Sequence, residues 1–234
     1  MIAGAPREIM KRFACSMLLI CVSAFLFHSC SEGIFTKKIK EGIIEFKAEP
    51  VNAKESMAMW APDNMEVKFK DGLWCANLEA GMGAMRMDFI SDPNKKQFIS
   101  LISFLGKFYS VMDMKEIESN NYYLPEYEVA YPGDKKKIAG YDCEKAVLNF
   151  KDNSPAMEVW FTKDIQVNNP NWSNAYYKID GVLMDYHLRK FGLELHFTAT
   201  SVSEAQIDPS VFEIPSEFKS KPNAELENMM SGFF

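Results

Sequence analysis

Val182-Leu183-Met184-Asp185-Tyr186-His187-Leu188-Arg189, a break at Phe191-Gly192, then Leu193-Glu194-Leu195-His196-Phe197-Thr198-Ala199: this stretch decides the fold. Val182, Met184, Tyr186 and Leu188 alternate with Leu183, Asp185, His187 and Arg189. Beyond a turn near Gly192, Leu193, Leu195, Phe197 and Ala199 alternate with Glu194, His196 and Thr198. Side chains on a strand point to opposite faces in turn, so period-two alternation marks a strand with one buried face. Two such runs joined by a short turn predict an antiparallel hairpin.

The same pattern extends toward the amino terminus. Ile44, Phe46 and Ala48 alternate with Glu45, Lys47 and Glu49. Met65, Val67 and Phe69 alternate with charged residues up to Asp71-Gly72, a pair that tolerates the positive φ of a two-residue hairpin turn. Leu73 to Leu78 returns, Gly81 and Gly83 break the chain, and Met85, Met87 and Phe89 form the next strand before the Asp92-Pro93-Asn94 turn. Gln97 to Leu105 fits either a helix or a strand, and its aromatic content favours a strand turning at Gly106-Lys107 and returning through Phe108 to Met112; Met114 to Ser119 reads as one helical turn. Asn120 to Gly133 reads as a long crossing loop and Lys135-Lys136-Lys137 as a solvated turn. Ile138 to Phe150 and Met157 to Thr162 read as strands, Val167 to Trp172 as a loop, and Ala224 to Phe234 as a short amphipathic helix or a tail. About nine or ten strands in sequential meander, with no βαβ alternation, place the chain in the mainly β class with an antiparallel sheet.

The amino terminus carries a different message. Lys11 and Arg12 precede an apolar run from Met17 to Phe27, which ends at His28-Ser29-Cys30. A basic flank, a short apolar segment and a small residue before a break form the layout of an export signal, and the run is shorter than the roughly 20 residues a bilayer needs. The ending resembles the lipobox of bacterial lipoproteins, with Leu26 four places before Cys30. That resemblance implies lipid attachment at Cys30 and a protein held in the cell envelope, on the periplasmic side or the surface of the outer membrane.

Removing residues 1–29 leaves 205 residues, 23 of them basic and 31 acidic, a net charge of −8. That length supports one domain with a sizeable core, or two small ones. An acidic chain without a basic stripe argues against nucleic-acid binding, because phosphate neutralisation needs clustered Lys and Arg. Any membrane contact then runs through the lipid. Of the five cysteines, only Cys75 and Cys143 lie beyond Cys30. Export permits a disulfide between them; two buried thiols acting as small apolar residues is the other reading.

Lys136-Lys137-Ile138-Ala139-Gly140-Tyr141-Asp142-Cys143-Glu144-Lys145-Ala146, Glu158-Val159-Trp160-Phe161-Thr162-Lys163-Asp164-Ile165 and Asp208-Pro209-Ser210-Val211-Phe212-Glu213-Ile214-Pro215 resemble segments of a family of exported bacterial proteins of unknown function. Gly181-Val182-Leu183-Met184 stands where relatives carry a Gly-Leu-Pro-Gly-like element, here without the proline and second glycine. Such proteins resemble the LolA/LolB lipoprotein-carrier superfamily. The resemblance implies a strongly curved antiparallel half-barrel, closed at its mouth by helices or loops, whose concave apolar face holds acyl chains.

A half-barrel either fills its concave face or leaves a groove. Phe46, Met65, Phe69, Met85, Met87, Phe89, Met157, Phe161, Met184 and Phe197 are the candidate lining. Methionine and phenylalanine suit flexible apolar ligands, and a buried methylene contributes about 0.8 kcal/mol. The same residues equally suit a filled core. Met57, Met59, Met82, Met85 and Met87 are the soft ligands a Cu(I) site would use, but their spacing is loose. His187 and His196, on facing strands beside Asp185 and Glu194, are the zinc candidates, though a solvated polar face carries the same residues. No Gly-x-Ser-x-Gly elbow or phosphate loop is present, so no enzyme and no cofactor is expected. The expected organisation is a signal with its lipobox cysteine over 1–30, a tether over 31–40, a LolA-like β domain over 41–218 and a tail over 219–234. The expected function is non-catalytic binding of a lipid or other apolar ligand. The alternative is a structural lipoprotein that binds an envelope protein through its loops.

Overall fold

The computed structural model describes residues 38–51, 60–119 and 124–231. The signal, Cys30, most of the tether, Met57 and Met59 lie outside the described residues. From Ile39 onward the chain builds two antiparallel meanders joined edge to edge. The first runs through β1 (Glu41–Pro50), β2 (Asn64–Lys70), β3 (Leu73–Ala80), β4 (Met85–Asp92), β5 (Gln97–Ser103) and β6 (Lys107–Met112), each paired with the one before. Helix α1 (Met114–Ser119) then starts the crossing to the other side. There β7 (Tyr127–Ala130), β8 (Lys135–Ile138), β9 (Tyr141–Phe150), β10 (Met157–Thr162), β11 (Val182–Lys190) and β12 (Leu193–Glu204) follow. A 3₁₀ turn (Pro209–Phe212), β13 (Lys219–Ser220) and α2 (Asn223–Ser231) finish the described chain.

The strands share one sheet in the order β13-β6-β5-β4-β3-β2-β1-β12-β11-β10-β9-β7, with β8 beside β9. The sheet is mainly β in the expected sense, curved and unclosed. It is not a sequential meander, however: β12 returns to pair with β1, so the first and last long strands meet in the middle. One short pairing, β13 on β6, is parallel. Residues 36–234 form a compact unit of their own.

Three hairpins turn on an X-Gly pair with positive φ at both positions: Asp71-Gly72 (50° and 84°), Ala139-Gly140 (49° and 84°) and Phe191-Gly192 (53° and 83°). That is the backbone a two-residue turn needs to match the strand twist. The middle pair splits what reads as one strand from Ile138 into β8 and β9. The lysine run Lys135–Lys137 is therefore an edge strand rather than a turn, paired through Glu144 and Asp142.

The main core joins the inner faces of β1–β4 and β11–β12, and Leu226 and Met230 of α2 complete it. The opposite face of β3–β5 is also covered. Cys75, Ile90, Ile99 and Leu101 lie beneath Val211, Phe212 and Ile214. Burial on both faces explains why Ile99-Ser100-Leu101-Ile102 does not alternate between apolar and charged residues. A third cluster packs Tyr127, Leu148, Val159 and Phe161 under Tyr176 and Ile179. Cys75 and Cys143 are free, buried thiols in separate clusters, so the disulfide open to them is not formed.

Candidate functional site

Two segments cross the concave side. The loop from Lys163 to Gly181 carries Trp172 onto Met112 and Ile117, and its Ser173 hydroxyl lies 3.2 Å from that of Ser91 on β4. Helix α2 spans the same side. The Ser110 hydroxyl on β6 donates to Asn223 at 3.2 Å, and Lys190 on β11 pairs with Glu227 at 3.2 Å. Neither segment fills the space beneath. A cavity of about 150 Å³ remains, walled by Met65, Ala76, Leu78, Met87, Phe89, Leu195 and Phe197, with Ser91, Ser173 and Lys190 also on its wall. An apolar cavity of that size takes a benzene-sized group. A second, more polar cavity of about 500 Å³ adjoins it, and Tyr176 and Leu188 to Phe191 line both.

The ten candidate lining residues separate. Met65, Met87, Phe89 and Phe197 line the first cavity and Met157 lines the second. Phe46, Phe69, Met85 and Met184 are packed into the main core, and Phe161 into the third cluster, all at 4% exposure or less. Those five line neither of these two cavities. Phe46 lies edge-on to Tyr186 and Phe197, at centroid distances of 6.0 and 6.5 Å. An irregularity between Trp160 and Phe161 shifts the β10–β11 register at Met184. Trp74, Tyr186, Leu188, Lys190 and Phe191 also line the cavity. Tyr186 and Leu188 were visible in the alternation; Lys190 carries no sequence signal, because its partner Glu227 lies on a helix distant in sequence.

Arg189 and Lys190 both line the junction of the two cavities, and Lys190 is the more buried of these cations. Its Nζ lies 4.6 Å from the centroid of Phe191, 5.2 Å from Phe89 and 5.9 Å from Phe98. Burial pushes the ammonium down to about 8, against the upward pull of Glu227.

The histidine candidates do pair in register, His187 opposite His196. Their rings stack 4.5 Å apart at 14°, on the strand face away from Tyr186 and Leu188. Asp185 holds His196 at 2.7 Å and is itself held by Lys136 at 2.8 Å. Among the described residues no group of three or more His, Cys, Asp or Glu is placed to hold a metal ion. The described methionines of the copper reading do not converge: Met82 is 89% exposed at a hairpin tip, whereas Met85 and Met87 are buried.

One end of the sheet is apolar and exposed. The β3–β4 and β5–β6 turns both sit there, since Arg86 pairs with Ser103. They present Met82 and Leu105, exposed by 89% and 88% and both at positive φ. Trp60 stands beside them, its carbonyl accepting from Gly81 N–H, and Pro62, two residues on, lines the cavity.

Residues 51–173 match the family described as a domain of unknown function, DUF4412. That is more than half of the 234 residues. The chain belongs to this family. The DUF4412 match contains β2–β4 with the first wall of the cavity, Ser91 and Ser173; β11, β12 and α2, with Lys190, follow it. It overlaps the resemblance found from residue 135 onward only as far as residue 173. No curated protein matches the sequence. Among solved structures, PNGF-II in space group P21 aligns with a TM-score of 0.53 at 15% identity, over 83% of this chain and 34% of that one. PNGF-II in space group C2 gives 0.50 at 16% identity, over 83% and 33%. LprF from Mycobacterium bovis gives 0.31 at 13% identity, over 74% and 90%. The likeness to PNGF-II is one of fold, and this chain spans about a third of its length.

Proposed function

We propose that this DUF4412 protein is a lipid-anchored envelope protein that binds a lipid or other apolar ligand non-catalytically under its concave face. The observation that carries the reading is the cavity of about 150 Å³ left between β2–β4 and β11–β12, roofed by the 163–181 loop. A core packed only for stability closes such space, because cavities cost about 24 cal/mol per Å³. The half-barrel shape agrees with the carrier resemblance, and the export signal with Cys30 supplies the anchor. Among the described residues no helix is long and apolar enough to cross a membrane. The apolar rim of Trp60, Met82 and Leu105 gives a greasy ligand a path from a bilayer toward Pro62 and the cavity.

Organic extraction of the protein purified from its own envelope, followed by mass spectrometry, tests this directly, together with displacement of a fluorescent fatty acid from residues 36–234. Co-purified lipid and saturable displacement are expected. A protein that carries nothing and displaces nothing is a scaffold that works through its loops.

A further inference from the structure

We propose that the ligand is a single-chain amphiphile bearing one carboxylate, with its tail between Met65, Met87, Leu195 and Phe197 and its carboxylate on Lys190. This rests on the reading of the cavity as an apolar-ligand site. Three observations point to the head group. Lys190 stands at the junction of the two cavities, and Arg189, the other cation there, is exposed, so a chain in the first places its head at the Lys190 ammonium. The cavity side of Lys190 is faced by the rings of Phe89, Phe98 and Phe191, which attract a cation far less than a carboxylate does. Its ion-pair partner Glu227 reaches it from α2 with 30% of its side chain in solvent. Water screens that carboxylate where it lines the second cavity, whereas the first is mostly apolar, so an anion on that side feels the cation more strongly than Glu227. The hydroxyls of Ser91 and Ser173, 3.2 Å apart on the same wall, offer further donors, and Ser91 lies opposite Phe98 in register. The small volume limits the deeply buried part to about six carbons.

Isothermal titration of residues 36–234 with octanoate, octanol and octyltrimethylammonium decides the matter. Octanoate is expected to bind at least ~tenfold more tightly than octanol, and the cation most weakly. Lys190→Met should erase the octanoate preference and leave octanol binding unchanged. Glu227→Gln should tighten octanoate alone, a signature that a purely structural ion pair does not give. Circular dichroism checks the fold of both variants, and the ranking on the unmodified protein stands without them. Equal binding of octanoate and octanol, or tightest binding of the cation, overturns the head-group assignment and leaves the apolar site in place. Binding of none of the three overturns both.

Discussion

Filling the cavity should stabilise the protein. Ala76 lies at the middle of β3, opposite Val67 and Phe89 in register, and points into the cavity. Ala76→Leu adds three carbons there, worth about 2 kcal/mol if they are buried in otherwise unused space. At ~24 cal/mol per Å³ the full 150 Å³ corresponds to about 3.6 kcal/mol, so the gain stays below what the space can return. In a solidly packed interior the same change overpacks the core and costs about 1–3 kcal/mol. The two accounts thus differ in sign. Urea unfolding at constant m is the assay. The variant should gain about 1–2 kcal/mol and bind the fluorescent fatty acid at least ~tenfold more weakly. A loss of 1 kcal/mol or more would refute the reasoning.

Other consequences follow from the same geometry. Gly181→Ala should destabilise by about 1–3 kcal/mol in the same assay, because its Cβ would stand 2.8 Å from the Thr162 carbonyl oxygen and 2.5 Å from Phe161. Burial pushes the thiols of Cys75 and Cys143 up to about 12 and about 11. Neither should react with a thiol reagent at pH 8 until urea unfolds the chain. Burial holds Lys190 at about 8, below its unfolded value. Between there and the ordinary lysine range the unfolded chain keeps a proton that the folded chain has released, so this group makes stability rise with pH. Wild type should gain stability relative to Lys190→Met across that window, by about 3 kcal/mol at most. Met82→Asp with Leu105→Asp should leave the thermal midpoint unchanged, since both side chains are almost fully exposed, yet reduce association with phospholipid vesicles.

The strand faces were legible because alternation is a local property. The hairpin from Val182 to Ala199 folds as read, with Leu188 opposite Leu195 and His187 opposite His196. The misread elements depended on something else. Ala139-Gly140 is a weak turn signal because alanine seldom adopts positive φ, so β8 and β9 merged into one strand. Tyr127–Ala130 is a short edge strand in a proline-bearing segment. The β1–β12 pairing joins residues far apart in sequence, which no local period reports. The candidate site was half legible. Period two placed Met65, Met87, Phe89 and Phe197 on an apolar face, but it placed Phe46, Phe69 and Met85 there too. Which of them meet a cavity is set by how α2 and the 163–181 loop roof the sheet. Lys190 was invisible for the same reason: its burial depends on a helix that contributes Glu227.

Methyl-labelled methionine NMR on residues 36–234 tests the central claim most directly, because the methionines sample every environment at once. On titration with octanol, the methyls of Met65 and Met87 should shift saturably, while those of Met85 and Met184, packed in the core, stay in place. If no methyl moves, or if only the exposed Met82 responds, the concave face holds no ligand site.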